Sequence, residues 1–486
     1  MTGPAATISI AHPECHYIDG AWVAPEGDGR VAVISAYSEE EIAVVASASP
    51  VDVDRAALAA RRAFEDGPWA RLTPQERAVH VRRLSDALTR RMPEVAQAWV
   101  DQIGALATAA PFVTGGGKFW FDYYADLADH YEWVREVPRF DGQGVARIVR
   151  EPAGVVAAIA PWNNPFGIMA GKLAPALIAG CTVVMKPAPE TPLEAYILAE
   201  AAEAAGLPEG VINLVCADRA ASEALVRHPA IDKVSFTGSV AAGRSIGMAC
   251  AERFARCTLE LGGKSAAIVL EDADIDHAAA VLAMVITLSA GQVCATLSRV
   301  IAVDAVHDRL VEALAHHLSQ VKVGDPRDPA SQMGPLAMRR QRDRVEDYVA
   351  IGQDQGARLV LGGARTAGMD RGWYFDPTLF ADVTCDMRIA REEIFGPVQT
   401  VLRVRDQADA VRVANDSAFG LYGAVFCADP ERAFSVARAV RTGTVAHNGF
   451  LFDPSLPFGG FKHSGVGREG GEAGLSSFTE LKSIIM

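Results

Sequence analysis

The chain has 486 residues, half of them hydrophobic and 22% charged, which is typical of a globular protein large enough for two or three domains. Its formal net charge of −14 repels polyanions, so neither nucleic acid nor an acidic membrane surface is expected as a principal partner. The N-terminal residues lack the basic and apolar regions of an export signal, and no apolar run approaches the ~20 residues of a membrane span. A cytoplasmic protein is expected.

Cysteine usage supports a reducing compartment. The eight cysteines are scattered, without a CxxC pair and without a Cys/His cluster, so neither a disulfide framework nor a metal site is expected. Each cysteine is most simply explained as a small buried hydrophobe. Only Cys294, which follows Gly291, Gln292 and Val293, has neighbours that indicate chemistry.

The first third of the chain predicts a loose tail at 1–13, a strand and tight turn at 17–22, and several helices. Apolar residues at helical spacing predict helices at 52–64 and 74–92. A third helical stretch at 94–107 is expected to end near the glycine run 115–117, which is interpreted as a flexible break. None of these elements carries an obvious catalytic group.

From residue 135 the pattern changes to strands. An Asp-Gly turn between β-forming residues predicts a hairpin at 135–149. Short apolar runs then alternate with helical segments, a pattern typical of parallel sheets covered on both faces. The runs lie at 154–160, 182–185 and 234–236, and again at 266–270, 299–303, 358–361 and 443–446. Two α/β domains are therefore expected.

Three polar side chains lie in segments that indicate nucleophilic chemistry. Cys294 follows the apolar helix-like run 278–290 and has no disulfide or metal partner at useful spacing, so its thiol is available. Glu260, in Leu-Glu-Leu-Gly-Gly-Lys-Ser, supplies a carboxylate. Asn163 lies in a turn restricted by Trp162 and two prolines. Together they can act as nucleophile, base and oxyanion donor.

A dinucleotide site is possible where a strand ending at 236–239 meets the helical stretch 240–254, because backbone amides at a helix start can hold a pyrophosphate. Gly238 and Gly243 do not form GxGxxG, so this signal is weak alone. Lys186, at the end of another strand, adds a cation at the carboxyl edge of the same expected sheet, where ligands bind.

Seven motifs, in order along the chain, resemble those of the aldehyde dehydrogenase superfamily. They are PWNNP at 161–165, KPAPETP at 186–192, FTGS at 236–239, LELGGKS at 259–265, GQVC at 291–294, EEIFGPV at 392–398 and PFGGFKHSGVGRE at 457–469. The resemblance implies an α/β fold with a Rossmann-like cofactor domain, an α/β catalytic domain and a small β oligomerisation element.

The domain limits follow from the same resemblance. Residues 1–129 and 150–261 are expected to form the cofactor domain, and residues 262–463 the catalytic domain. Residues 130–149 and 470–486 are expected to form the oligomerisation element of a homodimer or homotetramer.

The resemblance assigns catalytic roles by matching motif. The thiolate of Cys294 attacks the aldehyde carbonyl, so its pKa is expected to be depressed. The oxyanion is held by the Asn163 amide and the Cys294 backbone N–H, and Glu260 activates the water that hydrolyses the thioester. Glu469 takes the place of a second proton-relay carboxylate in some members. Each of three residues has an alternative role. Glu469 could form a solvated ion pair, Asn163 could stabilise its own turn, and Glu260 could lie on the surface at a strand end.

The resemblance also implies NAD as cofactor, with NADP possible. The residues expected to bind it are Ile159, Trp162, Lys186, Gly238, Ser239, Leu261, Glu393 and Phe395. Many NAD-preferring members carry a glutamate three residues after the lysine, where it binds the adenosine ribose hydroxyls. This chain has Pro189 there and Glu190 one residue later, so exclusion of the NADP 2′-phosphate is in doubt.

The aldehyde tunnel is expected to be apolar. Its expected lining residues are Asn164, Ile168, Gly171, Val293, Phe452 and Phe458. Gly171 stands where many relatives carry an aromatic residue, which suggests a wide tunnel for aromatic or branched medium-chain aldehydes. The alternative is that residues from another loop fill the space beside Gly171, because protein interiors are densely packed.

Other functions on this fold remain open. A CoA-acylating semialdehyde dehydrogenase typically lacks the hydrolytic glutamate, which this chain retains as Glu260. A non-catalytic structural or binding relative is expected to have lost at least one of the three catalytic residues, and none is lost. A betaine-aldehyde enzyme needs an aromatic cage for its quaternary ammonium, and no such cage is evident after Asn163.

Overall fold

A computed structural model of the chain describes residues 8–486, so residues 1–7 of the tail expected at 1–13 lie outside the described range. The strands are β1 (His16–Ile18), β2 (Ala21–Val23), β3 (Arg30–Ile34), β4 (Glu41–Ala46), β5 (Val134–Pro138), β6 (Val145–Pro152), β7 (Val155–Ile159), β8 (Thr182–Lys186), β9 (Ile212–Leu214), β10 (Lys233–Thr237), β11 (Arg256–Glu260), β12 (Ala266–Val269), β13 (Arg299–Val303), β14 (Arg358–Leu361), β15 (Thr378–Ala381), β16 (Val398–Val404), β17 (Tyr422–Phe426), β18 (Thr444–His447), β19 (Gly465–Val466) and β20 (Thr479–Ile485). The helices are α1 (Pro50–Glu65), α2 (Pro74–Ile103), α3 (Ala110–Leu127), α4 (Pro165–Ala179), α5 (Leu193–Ala204), α6 (Arg219–Arg227), α7 (Val240–Glu252), α8 (Ile275–Thr287), α9 (Asp304–Ser319), α10 (Arg339–Asp354), α11 (Arg388–Arg391), α12 (Gln407–Asn415), α13 (Pro430–Ala439) and α14 (Gly471–Ser476).

The first sheet has eight strands in the order β19-β11-β10-β7-β8-β9-β1-β2. Strands β7 to β11 are parallel, while β1, β2 and β19 are antiparallel additions at the edges. Strands β7 and β8 are buried along their whole length, as the near-continuous apolar runs predicted. The register pairs Ile159 with Lys186 and with Phe236, so three strand ends meet at one edge.

The second sheet has seven strands in the order β14-β15-β16-β13-β12-β17-β18. Its strands are parallel except β14, which runs antiparallel to β15. A single apolar core joins this sheet to the helices on both faces, from Ala266 to Ala446. The expectation of a mixed α/β fold with two parallel sheets is thereby confirmed.

A separate three-stranded antiparallel sheet joins the chain's middle to its end. Strands β5 and β6 form the predicted hairpin, and β20 pairs with β6 over seven residues, with Glu480 opposite Glu151. Several apolar side chains of β20, among them Leu481 and Ile485, are exposed. The hairpin and the terminal strand are therefore placed as the sequence predicted.

Helix α2 corrects the prediction of two helices at 74–92 and 94–107. It runs unbroken through Pro93 and ends at Gly104, which adopts a left-handed conformation. An internal proline costs a helix about 3 kcal/mol or more, but the buried face of α2 continues past it with Val95 and Trp99. Tertiary packing on both sides of the proline stabilises a single helix.

Helix α3 corrects the prediction of a flexible break at 115–117. All three glycines lie inside it. A Cβ atom on Gly117 would lie 2.6 Å from the Phe166 ring, so this glycine allows α3 to pack closely against α4. The glycine serves helix contact rather than chain flexibility.

Strand β19 carries the C-terminal segment back to the first sheet. It pairs with β11 so that Gly465 lies opposite Glu260, and this brings the following residues to the end of β11. Among residues 8–486, no helix has both the length and the apolar character needed to cross a membrane.

Candidate active site

Cys294 lies in a sharp bend between α8 and β13. Ser289, Ala290 and Gly291 all have positive φ angles of 47°, 52° and 73°, so the chain reverses direction just before the cysteine. A Cβ on Gly263 would lie 2.3 Å from the Cys294 carbonyl oxygen. The glycine therefore permits direct backbone contact between the segment that follows Glu260 and the cysteine loop.

Asn163 is held next to this loop from two sides. Its Nδ2 donates to the carbonyl oxygen of Gln292 at 2.9 Å, and its own carbonyl oxygen accepts from Trp99 Nε1 at 3.1 Å. Gln292 is fixed in turn, because its side-chain oxygen accepts from the Ala337 N–H at 3.0 Å. The amide thus reaches across to the cysteine loop instead of stabilising its own turn, and its second N–H hydrogen remains for a ligand.

The Cys294 thiol has surroundings that oppose ionisation. Although Cys294 is partly exposed, desolvation, followed by the nearby Glu393 and Glu260 charges, raises the pKa of its thiol to about 12. The N–H groups of Ala295 and of Cys294 itself act in the opposite direction and do not prevail. The expectation of a depressed pKa is wrong for this structure, and the thiol needs a base to become a nucleophile.

Glu260 is that base candidate by position and environment. It is 3% exposed, and among residues 8–486 neither carboxylate oxygen has a hydrogen-bond partner. Burial, followed by the Glu469 charge, raises the pKa of Glu260 well above its usual value, while Lys172 and Arg468 act to lower it. A surface position, the alternative considered from sequence, is excluded.

Glu469 lies behind Glu260 in an ion pair with Lys172, at 2.5 Å between Oε1 and Nζ. The Lys172 side chain has no exposed surface, and its Nζ also contacts Ser235 Oγ at 3.4 Å. Backbone hydrogen bonds of 2.6 and 2.8 Å with Phe458 hold Glu469 in place. The alternative of a solvated ion pair for Glu469 is wrong, because its partner is buried.

Lys172 was missed by sequence reasoning. It is the only charged residue of the apolar helix α4. A lone cation in a helix that is otherwise buried all round indicates a specific buried partner. That signal was visible in the sequence, although the identity of the partner was not.

The edge of the first sheet has the features of a dinucleotide site. Helix α7 begins three residues after the end of β10, and Ser239 caps it by accepting from the Ala242 N–H at 3.2 Å. A Cβ on Gly243 would lie 2.4 Å from the Leu261 side chain, so α7 approaches the end of β11 closely. The Gly238 N–H is already bonded to the Glu260 carbonyl oxygen at 2.9 Å, so Gly238 is not a free phosphate donor.

Two groups of opposite charge lie at the ends of these segments, with Lys186 buried and Glu393 partly buried. Burial lowers the pKa of Lys186 at the end of β8, and burial raises the pKa of Glu393 to about 7. Glu393 accepts from the Gly263 N–H at 3.0 Å. Trp162 and Phe395 pack edge to face at 5.3 Å between ring centroids. These donors, acceptors and ring faces fit a ligand that carries ribose hydroxyls and a flat ring.

An aromatic path leads away from the catalytic groups. Phe458 packs edge to face on Phe452 at 5.5 Å between centroids, and Phe452 packs on Trp120 at 6.2 Å. Val293, beside Cys294, is partly buried against the same core as Phe458. Sequence reasoning named the two phenylalanines but missed Trp120, which lies on α3 far from any of the motifs.

Gly171 does not leave the open space that was expected. A Cβ there would lie 3.3 Å from the Trp120 ring, so the indole fills the position beside the glycine. The side chain that fills this space belongs to helix α3, whereas the alternative had expected residues from a loop. Asn164 is also used differently, because its side-chain oxygen caps α4 by accepting from the Gly167 N–H at 3.3 Å. Ile168 is partly buried against the apolar core that packs on β7 and β8 of the first sheet.

Comparison with known proteins gives a consistent result. The family profile described as Aldehyde dehydrogenase family matches residues 22–484. A geranial dehydrogenase from Castellaniella defragrans is 45% identical over 472 residues, with 97% of this chain and 98% of the relative covered. A 3-succinoylsemialdehyde-pyridine dehydrogenase from a Pseudomonas species is 40% identical, with 96% and 98% covered.

Solved structures agree with these relatives. An aldehyde dehydrogenase of Mycobacterium tuberculosis complexed with NAD+ superimposes with a TM-score of 0.95 at 40% identity, covering 98% of this chain and 99% of that one. A mutant of aldehyde dehydrogenase C from Pseudomonas syringae, complexed with NAD+ and octanal, gives 0.95 at 38% identity, covering 99% and 98%. By motif order, fold and relatives, the chain belongs to the aldehyde dehydrogenase family.

Proposed function

We propose that this aldehyde dehydrogenase oxidises an apolar medium-chain, branched or aromatic aldehyde to the carboxylic acid, with NAD as the hydride acceptor. The observation that carries the proposal is the grouping of Asn163, Glu260 and Glu469 around the Cys294 loop, with an aromatic path on the other side. Lys186 and Glu393 supply a cleft that suits the cofactor.

The first step uses the unpartnered carboxylate. Glu260 takes the proton from the Cys294 thiol, whose pKa is too high for spontaneous ionisation at neutral pH. The sulfur then forms a bond to the carbonyl carbon, and the electron pair of the carbonyl double bond moves to its oxygen. The Asn163 amide and the Cys294 backbone N–H donate to that oxygen.

NAD, when bound, supplies the two-electron acceptor that converts the sulfur adduct to a thioester. Glu260 then removes a proton from a water molecule, the water oxygen adds to the thioester carbon, and the carbon–sulfur bond breaks to release the acid. The Lys172–Glu469 pair lies next to Glu260 and provides a route by which its proton can leave. The role of Glu469 is thus one of relaying protons.

The substrate proposal rests on the path formed by Trp120, Phe452 and Phe458. These rings offer apolar faces that gain free energy by covering an alkyl or aryl chain. A geranial dehydrogenase among the relatives and the octanal complex of a solved neighbour support the same substrate class. Gly171 does not widen the tunnel, because the Trp120 ring fills the position beside it.

The division into domains is part of the proposal. The first sheet supports a cofactor domain at 1–129 and 150–261, and the second sheet supports a catalytic domain at 262–463. The sheet formed by β5, β6 and β20 supports an oligomerisation element at 130–149 and 470–486, with its exposed apolar residues buried in a homodimer or homotetramer.

Substrate specificity is tested by kcat/KM for acetaldehyde, hexanal, benzaldehyde, a branched terpenoid aldehyde and succinic semialdehyde, followed by NADH formation. Each methylene buried contributes up to ~0.8 kcal/mol, so hexanal and benzaldehyde are expected to exceed acetaldehyde by roughly tenfold or more. Equal values across the neutral aldehydes, or preference for the charged one, contradict the proposal.

The same assays separate hydrolysis from transfer to CoA. A hydrolytic enzyme releases free acid at the same rate with and without CoA, because Glu260 activates water. Accumulation of acyl-CoA and dependence of turnover on CoA would instead support the acylating alternative, despite the buried carboxylate.

A further inference from the structure

One ion pair joins the two halves of the molecule at the edge of the first sheet. Arg340 Nη2 lies 2.6 Å from Glu190 Oε1, with the guanidinium side chain 64% exposed and the carboxylate side chain 27% exposed. Glu190 follows β8 by four residues and lies near the Lys186 ammonium, whose charged state it favours. Arg340 is the second residue of α10, which belongs to the half built on the second sheet.

Helix α10 is tied along the cleft proposed for the cofactor. Gln341 Nε2 donates to the Phe395 carbonyl oxygen at 2.6 Å, and Arg344 donates to the carbonyl oxygens of Glu393 and Ile394. These contacts fix the first turns of α10 against residues 393–395, while Arg340 reaches Glu190 in the loop between β8 and α5. Arg340 is therefore held at the Lys186 end of the cleft by the helix that carries it.

Three features of this end favour an anion. Lys186 and Arg340 bring two cationic groups that can bind an anion, beside the carboxylates of Glu190 and Asp218. Within residues 8–486, no side chain caps the N-terminus of α10, so its first N–H groups and helix dipole also favour negative charge. Pro189, three residues after Lys186, adds no carboxylate to this loop.

We infer that Arg340 determines cofactor specificity by exchanging its ion pair with Glu190 for one with the 2′-phosphate of NADP, so that both NAD and NADP are accepted. This inference rests on the proposed cofactor cleft. A surface ion pair contributes little to stability and is easily released, whereas a guanidinium binds a phosphate through two charge-assisted hydrogen bonds. With NAD, Arg340 keeps its ion pair with Glu190.

The test measures nucleotide binding directly. Isothermal titration calorimetry of the full-length enzyme with 2′,5′-ADP and with 5′-AMP compares two probes that differ only in the 2′-phosphate. Arg340→Ala is expected to weaken 2′,5′-ADP about tenfold or more and to leave 5′-AMP unchanged. Glu190→Gln, which frees the guanidinium, is expected to tighten 2′,5′-ADP severalfold, and Pro189→Glu to weaken it.

Arg339→Ala is the matched control, because Arg339 precedes Arg340 on α10 but packs over the Trp373 ring at 5.1 Å. It is expected to change neither probe. The inference is overturned if Arg340→Ala affects both probes equally or neither, while 5′-AMP binding and NAD-dependent oxidation remain intact. If the wild-type enzyme binds neither probe, the proposed cofactor cleft itself is wrong, and the inference falls with it.

Discussion

The two sides of Cys294 are built in opposite ways. On one side lie the buried Glu260 and Lys172 and the partly buried Glu469, and within residues 8–486 only Lys172 and Glu469 are paired. On the other side lie Trp120, Phe452 and Phe458, with no charge among them. Burying an unpaired carboxylate is costly, and Glu260 responds with a raised pKa instead of an ion pair. In the proposed function, one side handles protons and the other selects the aldehyde.

Replacing the proposed nucleophile, Cys294, removes the covalent attack on the aldehyde, which needs both the proton-handling groups and the aromatic residues. Cys294→Ser is expected to lower aldehyde oxidation by at least about 10⁴-fold, because a serine hydroxyl is a much weaker nucleophile than a thiolate. Nucleotide binding, measured by calorimetry, should be unchanged, since only covalent chemistry is lost. Normal turnover in the serine variant would contradict the assignment.

Removing the base breaks the proton side alone. Glu260→Gln keeps the size of the side chain but cannot accept a proton, so kcat is expected to fall by about 10²–10⁴-fold. Steady-state and pre-steady-state NADH formation report this fall with a common set of aldehydes. An equal fall for hexanal and acetaldehyde is expected, because the aromatic side is untouched.

The aromatic side is broken selectively by Phe452→Ala. The phenylalanine is 55% exposed, so its removal should cost little stability. Loss of one ring face is expected to lower kcat/KM for hexanal by about fivefold, or ~1 kcal/mol, while acetaldehyde changes little. Phe434→Ala, on the exposed surface of α13, serves as the control. Equal losses for both aldehydes would remove Phe452 from the tunnel.

The proton side also predicts opposite pH shifts for its two supporting charges. Glu469 raises the pKa of Glu260 and Lys172 lowers it. Deacylation needs the ionised carboxylate, so activity falls as pH drops through that pKa. Glu469→Gln should therefore move the acid limb of kcat to lower pH, and Lys172→Met should move it to higher pH.

The exposed Glu472 on α14 supplies the control for these shifts. Glu472→Gln should leave the acid limb in place, because its carboxylate is not among the charges that act on Glu260. Shifts of the same sign in the Glu469 and Lys172 variants would show a structural effect in place of an electrostatic one. The pH profile thus separates a proton relay from simple support of the fold.

The sequence predicted correctly those elements that are determined by residues close together in the chain. Strands β7, β8 and β10 were placed by their apolar runs, and Asn163, Glu260 and Cys294 by motifs in which glycine or proline restricts the backbone. The hairpin of β5 and β6 was marked by its Asp-Gly turn. In each case the residues that determine the structure lie within about ten positions of one another.

Features that depend on distant packing were missed. Lys172 and Glu469 are 297 residues apart in sequence, so only the fold shows that they pair. Trp120 fills the position beside Gly171 from a different helix. The continuity of α2 through Pro93 likewise depends on the buried residues that pack around it. The proline at Pro93 did not predict the helix end correctly, and the glycine at Gly171 did not predict open space correctly. In both cases tertiary contacts outweigh the local preference.

The central claim is that a buried, unpartnered Glu260 hydrolyses a thioester on Cys294. Intact-mass spectrometry of the Glu260→Gln enzyme, sampled during turnover of hexanal with NAD, tests it most directly. Because the partly exposed Cys294 thiol can also lose its proton to solvent, the substitution is expected to slow acylation less than deacylation. The account therefore predicts that a species heavier by one hexanoyl group accumulates, that it is absent from Cys294→Ser, and that the wild-type enzyme shows little of it. An unmodified Glu260→Gln enzyme that still turns over slowly would contradict the claim.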